Sequence, residues 1–192
     1  MNCDSFFVFL RKYIPVCVEL ENRIREVAEF KTYPARTLLL EKGQVCRYFR
    51  YIVKGALRTY TYFEGREITT WFELGDYLAN PFDSFFLQKP GFEYMETLEE
   101  TLLLEIPHAD YQQLYHDFPE MERFGRLWLE QESAFQVEFF KYYNYLSAAQ
   151  KFDRLLTYAP DIDQRVKQVH IASFLGIAPE TLSRIRANRL KE

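Results

Sequence analysis

The chain lacks the apolar runs and the cysteine pairs that mark several common classes of protein. No stretch approaches the roughly 18 apolar residues that a membrane-spanning helix needs. The apolar opening from Phe6 to Val18 is interrupted by Arg11, Lys12 and Pro15, and no small-residue cleavage site follows it. It therefore predicts a packed helix rather than a signal peptide. We expect a cytoplasmic protein with no membrane partner.

Cysteine is scarce and poorly placed for metal or disulfide chemistry. The three cysteines form no CxxC pair and leave an odd number for disulfides: Cys3, Cys17 and Cys46. An iron–sulfur or metal sensor needs several closely placed thiolates, so this spacing argues against one and favours a reducing compartment. We expect no cofactor.

Net charge is −4 over 192 residues, which alone argues against a nucleic-acid binder, but the charge is unevenly distributed. Residues 164–192 carry a net charge of +4, which leaves −8 on the remainder of the chain. A basic tail on an acidic body is typical of a small DNA-contacting module joined to another domain. A solvated basic helix end is the alternative.

Hydrophobic periodicity divides the chain into a helix, a β-rich region and further helices. Helical spacing runs from Leu20 to Phe30 and ends at Tyr33-Pro34. Short runs rich in β-branched, aromatic and leucine residues follow, separated by glycine-bearing turns, and predict a sandwich or barrel over about 32–106. The predicted strands are Thr37–Leu40, Tyr48–Val53, Leu57–Phe63, Glu67–Phe72 and Thr101–Ile106.

An enzyme on such a barrel is a competing class, and the inventory of residues argues against it. A cupin-like site needs several histidines on the strands, whereas the three present fall outside them: His108, His116 and His170. We expect His170 at the surface or facing a phosphate. No Gly-rich phosphate loop, GxSxG elbow or HExxH motif occurs, so we expect no enzyme activity.

A long helix is predicted from Asp117 to Ser147. Its aromatic stripe should pack on the barrel on one side and on a second subunit on the other. Purely intramolecular packing is the alternative, because Gln131 and Glu138 interrupt the stripe. The stripe comprises Met121, Phe124, Trp128, Phe135, Tyr142 and Tyr145.

The segment from Ile171 to Arg186 has the pattern of a helix-turn-helix. Gly176 can adopt the positive φ that ends the first helix, and Pro179 suits the first position of the second. Ala178 in the N-cap position offers no side-chain acceptor. Leu182 and Ile185 return to the core, with Ile171, Ala172, Leu175 and Ile177.

The opposite face of the second helix carries Glu180, Ser183 and Arg184, at i, i+3 and i+4. In the DNA major groove, Arg bonds guanine, Glu accepts from cytosine and Ser serves either type of base. We therefore expect this trio to read bases and a second set to contact phosphates: Thr181, Arg186, Arg189 and Lys191. The alternatives are an ordinary helical hairpin, or a sensing or interaction module whose helix-turn-helix no longer binds DNA.

These residues resemble the Crp/Fnr family of bacterial regulators. The strongest match is IASFLGIAPETLSRIR, residues 171–186, to the family's helix-turn-helix. The barrel matches less strongly, through Glu41-Lys42-Gly43, Val53-Lys54-Gly55, Gly65-Arg66-Glu67 and Leu74-Gly75-Asp76. The resemblance implies an α+β chain with an N-terminal cyclic-nucleotide-binding-like jelly roll, a long dimerisation helix and a C-terminal helical DNA-binding domain. It further implies a homodimer on a palindromic operator with TTGA-type half-sites.

The chain departs from this family where cyclic nucleotides bind. Relatives that bind them follow the glycine turn with Gly-Glu and later an Arg for the cyclic phosphate. Here Ala79-Asn80 follows the turn and residues 89–94 contain no Arg. The charge of a buried cyclic phosphate would have no cation to balance it, so we expect the barrel to bind no cyclic nucleotide. An aromatic-rich effector pocket or a plain aromatic core remain as alternatives, the pocket candidates being Tyr77, Leu78, Ala79, Asn80, Phe92 and Tyr94.

The expected organisation is therefore a transcriptional regulator with three parts. Residues 1–116 form the N-terminal helix and sensor barrel, 117–146 the dimerisation helix and 147–192 the DNA-binding domain. We expect a mobile hinge at Ala159–Asp163, where proline interrupts the helices. Double-stranded DNA is the expected partner, with RNA polymerase and an unidentified small-molecule effector as further candidates.

Overall fold

The computed structural model describes residues 3–141 and 143–189. Within these residues, eight strands form two antiparallel four-stranded sheets, with strand orders β1-β8-β3-β6 and β2-β7-β4-β5. The jelly-roll prediction is confirmed. The strands are β1 Glu29–Tyr33, β2 Leu38–Leu40, β3 Tyr48–Lys54, β4 Ala56–Phe63, β5 Arg66–Leu74, β6 Tyr77–Leu78, β7 Tyr94–Thr97 and β8 Thr101–Pro107.

Helices precede, interrupt and follow the sheets. A 3-10 turn, Tyr143–Tyr145, separates α5 from α6. No described helix is long and apolar enough to cross a membrane. The helices are α1 Asp4–Leu10, α2 Val18–Val27, α3 Phe82–Leu87, α4 His108–Asp117, α5 Pro119–Lys141, α6 Ala148–Tyr158, α7 Ile162–Arg165, α8 Gln168–Leu175 and α9 Pro179–Arg189.

The β4–β5 hairpin is the tightest connection of the barrel. Phe63 pairs with Arg66, so only Glu64 and Gly65 form the loop. Both have positive φ, 50° and 75°. Two consecutive residues of this conformation make a type I′ turn, whose twist matches that of the flanking strands. This hairpin fixes the register of β5, the strand on which the C-terminal helices dock.

The main core lies between the sheets and the N-terminal helices. Phe6 and Phe9 of α1 pack on Tyr51 of β3, with ring centroids 5.1 and 5.4 Å apart. Phe124 of α5 extends this cluster and contacts the Phe9 ring at 6.0 Å. The first part of the apolar opening is therefore a packed helix, as predicted, but this helix ends at Leu10 and the stretch from Arg11 to Cys17 is not helical.

A second core holds the C-terminal helices together. Its buried residues lie between Phe152 and Leu182, together with Phe72 of β5 from the barrel, and Leu74 and Leu98 of the barrel pack against them. Helix α6 begins with a capping box, in which Ser147 and Gln150 satisfy each other's backbone N–H groups. Because Phe72 contributes to this core, the C-terminal helices are docked on the barrel.

Boundaries of later elements also differ from the expectations. The helix expected to reach Phe30 ends at Val27, because Glu29–Tyr33 pairs with Thr101–Glu105 and becomes β1. Helix α5 spans Pro119–Lys141, so the stripe does not continue to Tyr145, whose side chain is 85% exposed in the following turn. Tyr142, also assigned to the stripe, lies outside the described residues.

Candidate nucleic-acid interface and barrel cavity

The turn between α8 and α9 has the geometry that its residues predict. Gly176 adopts φ 68° at the end of α8, and the Ile177 N–H donates to the carbonyl of Ala172 at 3.0 Å. These are the features of a left-handed helix cap, which favours glycine. Leu182 of α9 is fully buried. One side of α9 is therefore fixed in the core of the helix-turn-helix.

The opposite side of α9 is open to solvent. Glu180, Ser183 and Arg184 are all exposed there. The Arg184 guanidinium donates to the hydroxyl of Thr181 at 3.4 Å. No carboxylate of the described residues lies within ion-pair distance of Arg184. The three residues expected to read bases thus share one accessible helix face.

Two of the expected phosphate-contacting residues are paired within the helical domain. Arg186 lies 3.0 Å from Asp163, and Arg189 lies 2.8 Å from Asp153. All four side chains are partly exposed, so these pairs are weak and can open. Thr181 is half-buried beside Arg184. Lys191, the last residue of this set, lies outside the described residues.

His170 contradicts the expectation that it faces solvent or a phosphate. Its side chain is only 16% exposed, and Nδ1 lies 2.8 Å from Nη1 of Arg58 on β4. Burial, followed by the adjacent Arg58 guanidinium, lowers the pKa of His170. The physical reason for the difference is the docking of α8 on the barrel, which no local pattern reveals.

Further contacts hold α8 on β5. The Ser173 hydroxyl accepts from the Thr69 N–H at 3.0 Å and donates to the Glu67 carbonyl at 3.2 Å. The Phe174 ring packs on Phe72 and Trp71, with centroids 5.4 and 5.9 Å apart. The first helix of the motif is therefore attached to the barrel by both polar and aromatic contacts.

The segment expected to act as a hinge is also anchored. Arg165, just after it, donates to the Gly55 carbonyl at 2.8 Å and to the carboxylates of Glu99 at 2.6 Å and Asp161 at 2.7 Å. Ala159 is 2% exposed. Any reorientation of the helical domain has to break or carry along these contacts, so the hinge stays a prediction.

A cavity of about 180 Å³ lies between the barrel and α5. Among the effector-pocket candidates, Tyr77, Leu78 and Asn80 line it. Ala79 is buried without reaching its wall, whereas Phe92 is 57% exposed. Tyr94 stacks on Tyr60 instead, with centroids 5.1 Å apart. The remaining lining residues are Thr59, Thr70, Trp71, Glu73, Pro81, Phe82, Glu93, Glu132, Gln136 and Phe140.

The polar part of this lining is acidic. Burial and the neighbouring Glu93 raise the pKa of Glu73 to about 8, and burial also raises the pKa of Glu93. Tyr77 donates to Glu132 at 2.5 Å. No Lys or Arg is among the described residues that line the cavity. The site as it stands would repel a phosphate rather than bind one.

Sequence reasoning missed the residues that give the cavity its character. Glu73 lies just after the predicted strand Glu67–Phe72, although β5 in fact continues to Leu74, and Glu132 lies in a predicted helix. Both would be taken for ordinary solvent-facing charges. The available signal is a carboxylate at an inward position of a half-buried strand, as at Glu73. The described residues contain no group of His, Cys, Asp or Glu that could hold a metal ion.

Comparison with known proteins agrees with this architecture. Residues 30–118, slightly under half of the chain, match the family model of the cyclic nucleotide-binding domain. The c-di-GMP-responsive global regulator CLP of Xanthomonas campestris is 16% identical with a TM-score of 0.67, over 91% of this chain and 92% of that one. The chain has the fold of the Crp/Fnr regulators.

Two further structures support the same fold. A CooA mutant from Carboxydothermus hydrogenoformans is 15% identical, has a TM-score of 0.67 and covers 92% of this chain and 85% of its own. FixK2 from Bradyrhizobium japonicum is 17% identical, has a TM-score of 0.66 and covers 84% of each chain. No curated protein matches the sequence. The Crp/Fnr resemblance of the sequence is thus confirmed for the fold.

Proposed function

We propose that this chain is a sequence-specific DNA-binding transcriptional regulator of the Crp/Fnr type and not an enzyme. The observation that carries the proposal is the exposed face of α9, where Glu180, Ser183 and Arg184 stand together while Leu182 anchors the opposite face. A helix held in this way can enter the major groove with its polar residues against base edges.

The proposed active form is a homodimer that pairs through α5. Val137 and Phe140 of this helix are 67% and 51% exposed, an apolar surface that a second copy can cover. A twofold dimer of helix-turn-helix units reads two half-sites about 34 Å apart along the duplex, which makes a palindromic operator. A TTGA-type half-site is the proposed target.

Phosphate contacts are proposed for Thr181, Arg186, Arg189 and Lys191. The pairs of Arg186 with Asp163 and of Arg189 with Asp153 would have to open or be shared when DNA binds. The barrel is proposed to lack the arginine that binds the cyclic phosphate in relatives, because the cavity lining contributes carboxylates and no cation. A regulatory ligand of this barrel would then belong to another chemical class.

Selection of sites from a random duplex library tests this function. We expect the wild-type protein to enrich a palindrome, and Arg184→Ala to lose preference at one guanine in each half-site by about 1–3 kcal/mol. The matched control is Arg47→Ala, an exposed arginine before β3. It lies at the opposite end of that strand from Gly55, which contacts the helical domain.

The outcomes separate the competing functions. Equal enrichment by wild type and Arg184→Ala would remove Arg184 from base reading. An asymmetric single site would contradict the twofold dimer. Absence of any enriched site at both 50 and 200 mM salt, about the range in which phosphate-driven affinity collapses, would favour a sensing module that does not use its helix-turn-helix on DNA.

A further inference from the structure

Three carboxylates from three different elements meet at the cavity between the barrel and α5. Glu73 comes from β5, Glu93 immediately precedes β7 and Glu132 comes from α5. Each accepts a hydrogen bond from one hydroxyl: from Thr59 at 3.3 Å, from Thr70 at 2.7 Å and from Tyr77 at 2.5 Å, respectively. Hydroxyls are the strongest donors that the lining offers to these groups.

Glu73 is the least compensated of the three. It is only 6% exposed, and its Oε2 atom is buried without a hydrogen-bond partner. A buried carboxylate oxygen without a donor costs free energy that a folded protein normally avoids. The cavity therefore contains a carboxyl oxygen for which the described residues supply no donor.

Other carboxylates that are buried or partly buried in this barrel each have a basic partner. Glu105 on β8 is paired with Arg50 at 2.8 Å, and Glu96 on β7 is paired with Arg58 at 2.6 Å. In both cases a guanidinium from a neighbouring strand provides the positive charge. No described residue does so for Glu73, so the cavity lacks the cation that these other sites contain.

The rest of the wall is aromatic. Trp71, Tyr77, Phe82 and Phe140 all line the cavity, and ring faces attract cations as well as apolar groups. Phe140 is half exposed in the single chain, on the face of α5 through which the proposed homodimer pairs. The volume of about 180 Å³ is below the range typical of sites for drug-sized ligands, so only a small ligand fits.

We propose that this cavity binds a small organic cation, a protonated amine with an apolar or aromatic body. The ammonium group would lie against Glu73, with Glu93 and Glu132 around it, and the body would pack on Trp71 and Phe82. An organic cation fits better than a metal ion, because a hard cation requires a shell of oxygen ligands that an aromatic wall cannot supply. This inference concerns the cavity between the barrel and α5 and does not depend on DNA binding.

Calorimetric titration of the full-length protein with benzylamine tests the proposal, with butylamine and phenethylamine as further probes. Benzyl alcohol and benzoate are the neutral and anionic controls of nearly the same shape. We expect at least one of the amines to bind and both controls to bind at least about 30-fold more weakly, as expected when a buried charge loses its partner. The experiment contains no DNA, so its failure leaves the proposed function intact.

Variants locate the site. Glu73→Gln keeps the shape and the bond to Thr59 but removes the charge, and should weaken amine binding at least about 30-fold. Glu132→Gln is the second variant and should also weaken amine binding. Glu64→Gln, which removes an exposed carboxylate from the β4–β5 turn, is the matched control and should bind like wild type.

Proton release gives an independent readout. The pKa of Glu73 of about 8 keeps this group largely protonated near neutral pH, among Glu93, Glu132, Tyr77 and Tyr158. An ammonium beside it favours the ionised form, so binding should release a proton, seen as a heat that depends on the ionisation enthalpy of the buffer. Failure of all three amines to bind, equal binding of benzyl alcohol, or unchanged affinity in both variants would overturn the proposal.

Discussion

Replacement of Glu73 by glutamine should make the protein more stable at neutral and alkaline pH. Glu73 is buried, accepts one long hydrogen bond from Thr59 and leaves Oε2 without a partner. The folded protein therefore holds this carboxyl in its protonated form, with a pKa of about 8 in place of its ordinary 4.5. Glutamine occupies the same volume and never has to ionise.

The sign and size of this stability effect follow from the difference between the pKa of Glu73 in the folded and in the unfolded state. Between pH 4.5 and 8 the folded state keeps a proton that the unfolded state has lost, so wild-type stability falls as pH rises through this window. Each pKa unit corresponds to 1.36 kcal/mol, which gives a penalty of about 3 kcal/mol at pH 7. The stabilising contribution is fully present below pH 4.5 and is lost once pH exceeds 8.

Urea unfolding at several pH values between 5 and 8.5 measures this effect. The informative quantity is the difference in free energy of unfolding between Glu73→Gln and wild type at the same protein concentration, because groups common to both then cancel. It should be small at pH 5 and reach about 3 kcal/mol near neutral pH. Glu64→Gln should give a flat difference. A flat difference for Glu73→Gln as well would refute the reasoning.

Three further substitutions probe how the barrel and the helices are held together. Phe174→Ala removes the ring that packs on Trp71, and should cost about 2–4 kcal/mol in urea unfolding and speed proteolysis of the C-terminal helices. Because the pKa of His170 is lowered in the folded state, its contribution to the free energy of unfolding is present above pH 6.5 and is lost as pH falls. His170→Gln should therefore flatten the acid side of a plot of unfolding free energy against pH. Gly55→Ala should lower the melting temperature sharply, since φ is +112° and a Cβ atom would come within 2.4 Å of the Thr101 hydroxyl oxygen; an unchanged melting temperature would contradict this packing.

The helix-turn-helix could be predicted almost residue by residue because its determinants are local. Gly176 ends α8, Pro179 begins α9 and Leu182 returns to the core, all within one short segment. Each of these roles depends on backbone geometry or on helical spacing, which the sequence displays directly. The same reasoning places Glu180 and Arg184 on the outer face.

The barrel was predicted only in part, because its short strands depend on distant partners. Residues 28–30 continue a helical pattern, yet Phe30 pairs with Leu104 and lies in β1. Strand β6 contains only Tyr77 and Leu78, too few residues for any period to be visible. Pairing with distant strands decided these cases, and it outweighed local propensity: Phe30 pairs with Leu104 and Tyr77 with Ile52.

The charges inside the molecule were the least predictable part. Arg58 reads as a solvent-facing residue of a strand, but it is 3% exposed and holds Glu67 and Glu96, each at 2.6 Å. Its contact with His170 exists only because α8 docks on the barrel. Sequence supplies the charges, whereas docking decides which of them are buried together.

Trp71 gives the cavity a physical connection to the helix-turn-helix. Its ring lines the cavity and also packs on Phe139 of α5 at 5.3 Å and on Phe174 of α8 at 5.9 Å. An occupant that fixes the Trp71 ring therefore changes the surface on which α8 rests. A ligand shifts the docking equilibrium only to the extent that it binds the docked and undocked forms unequally. Coupling between two binding sites is reciprocal, so DNA that favours one position of α8 would change the affinity of the cavity for its ligand. Trp71 is the residue at which the two sites would be coupled.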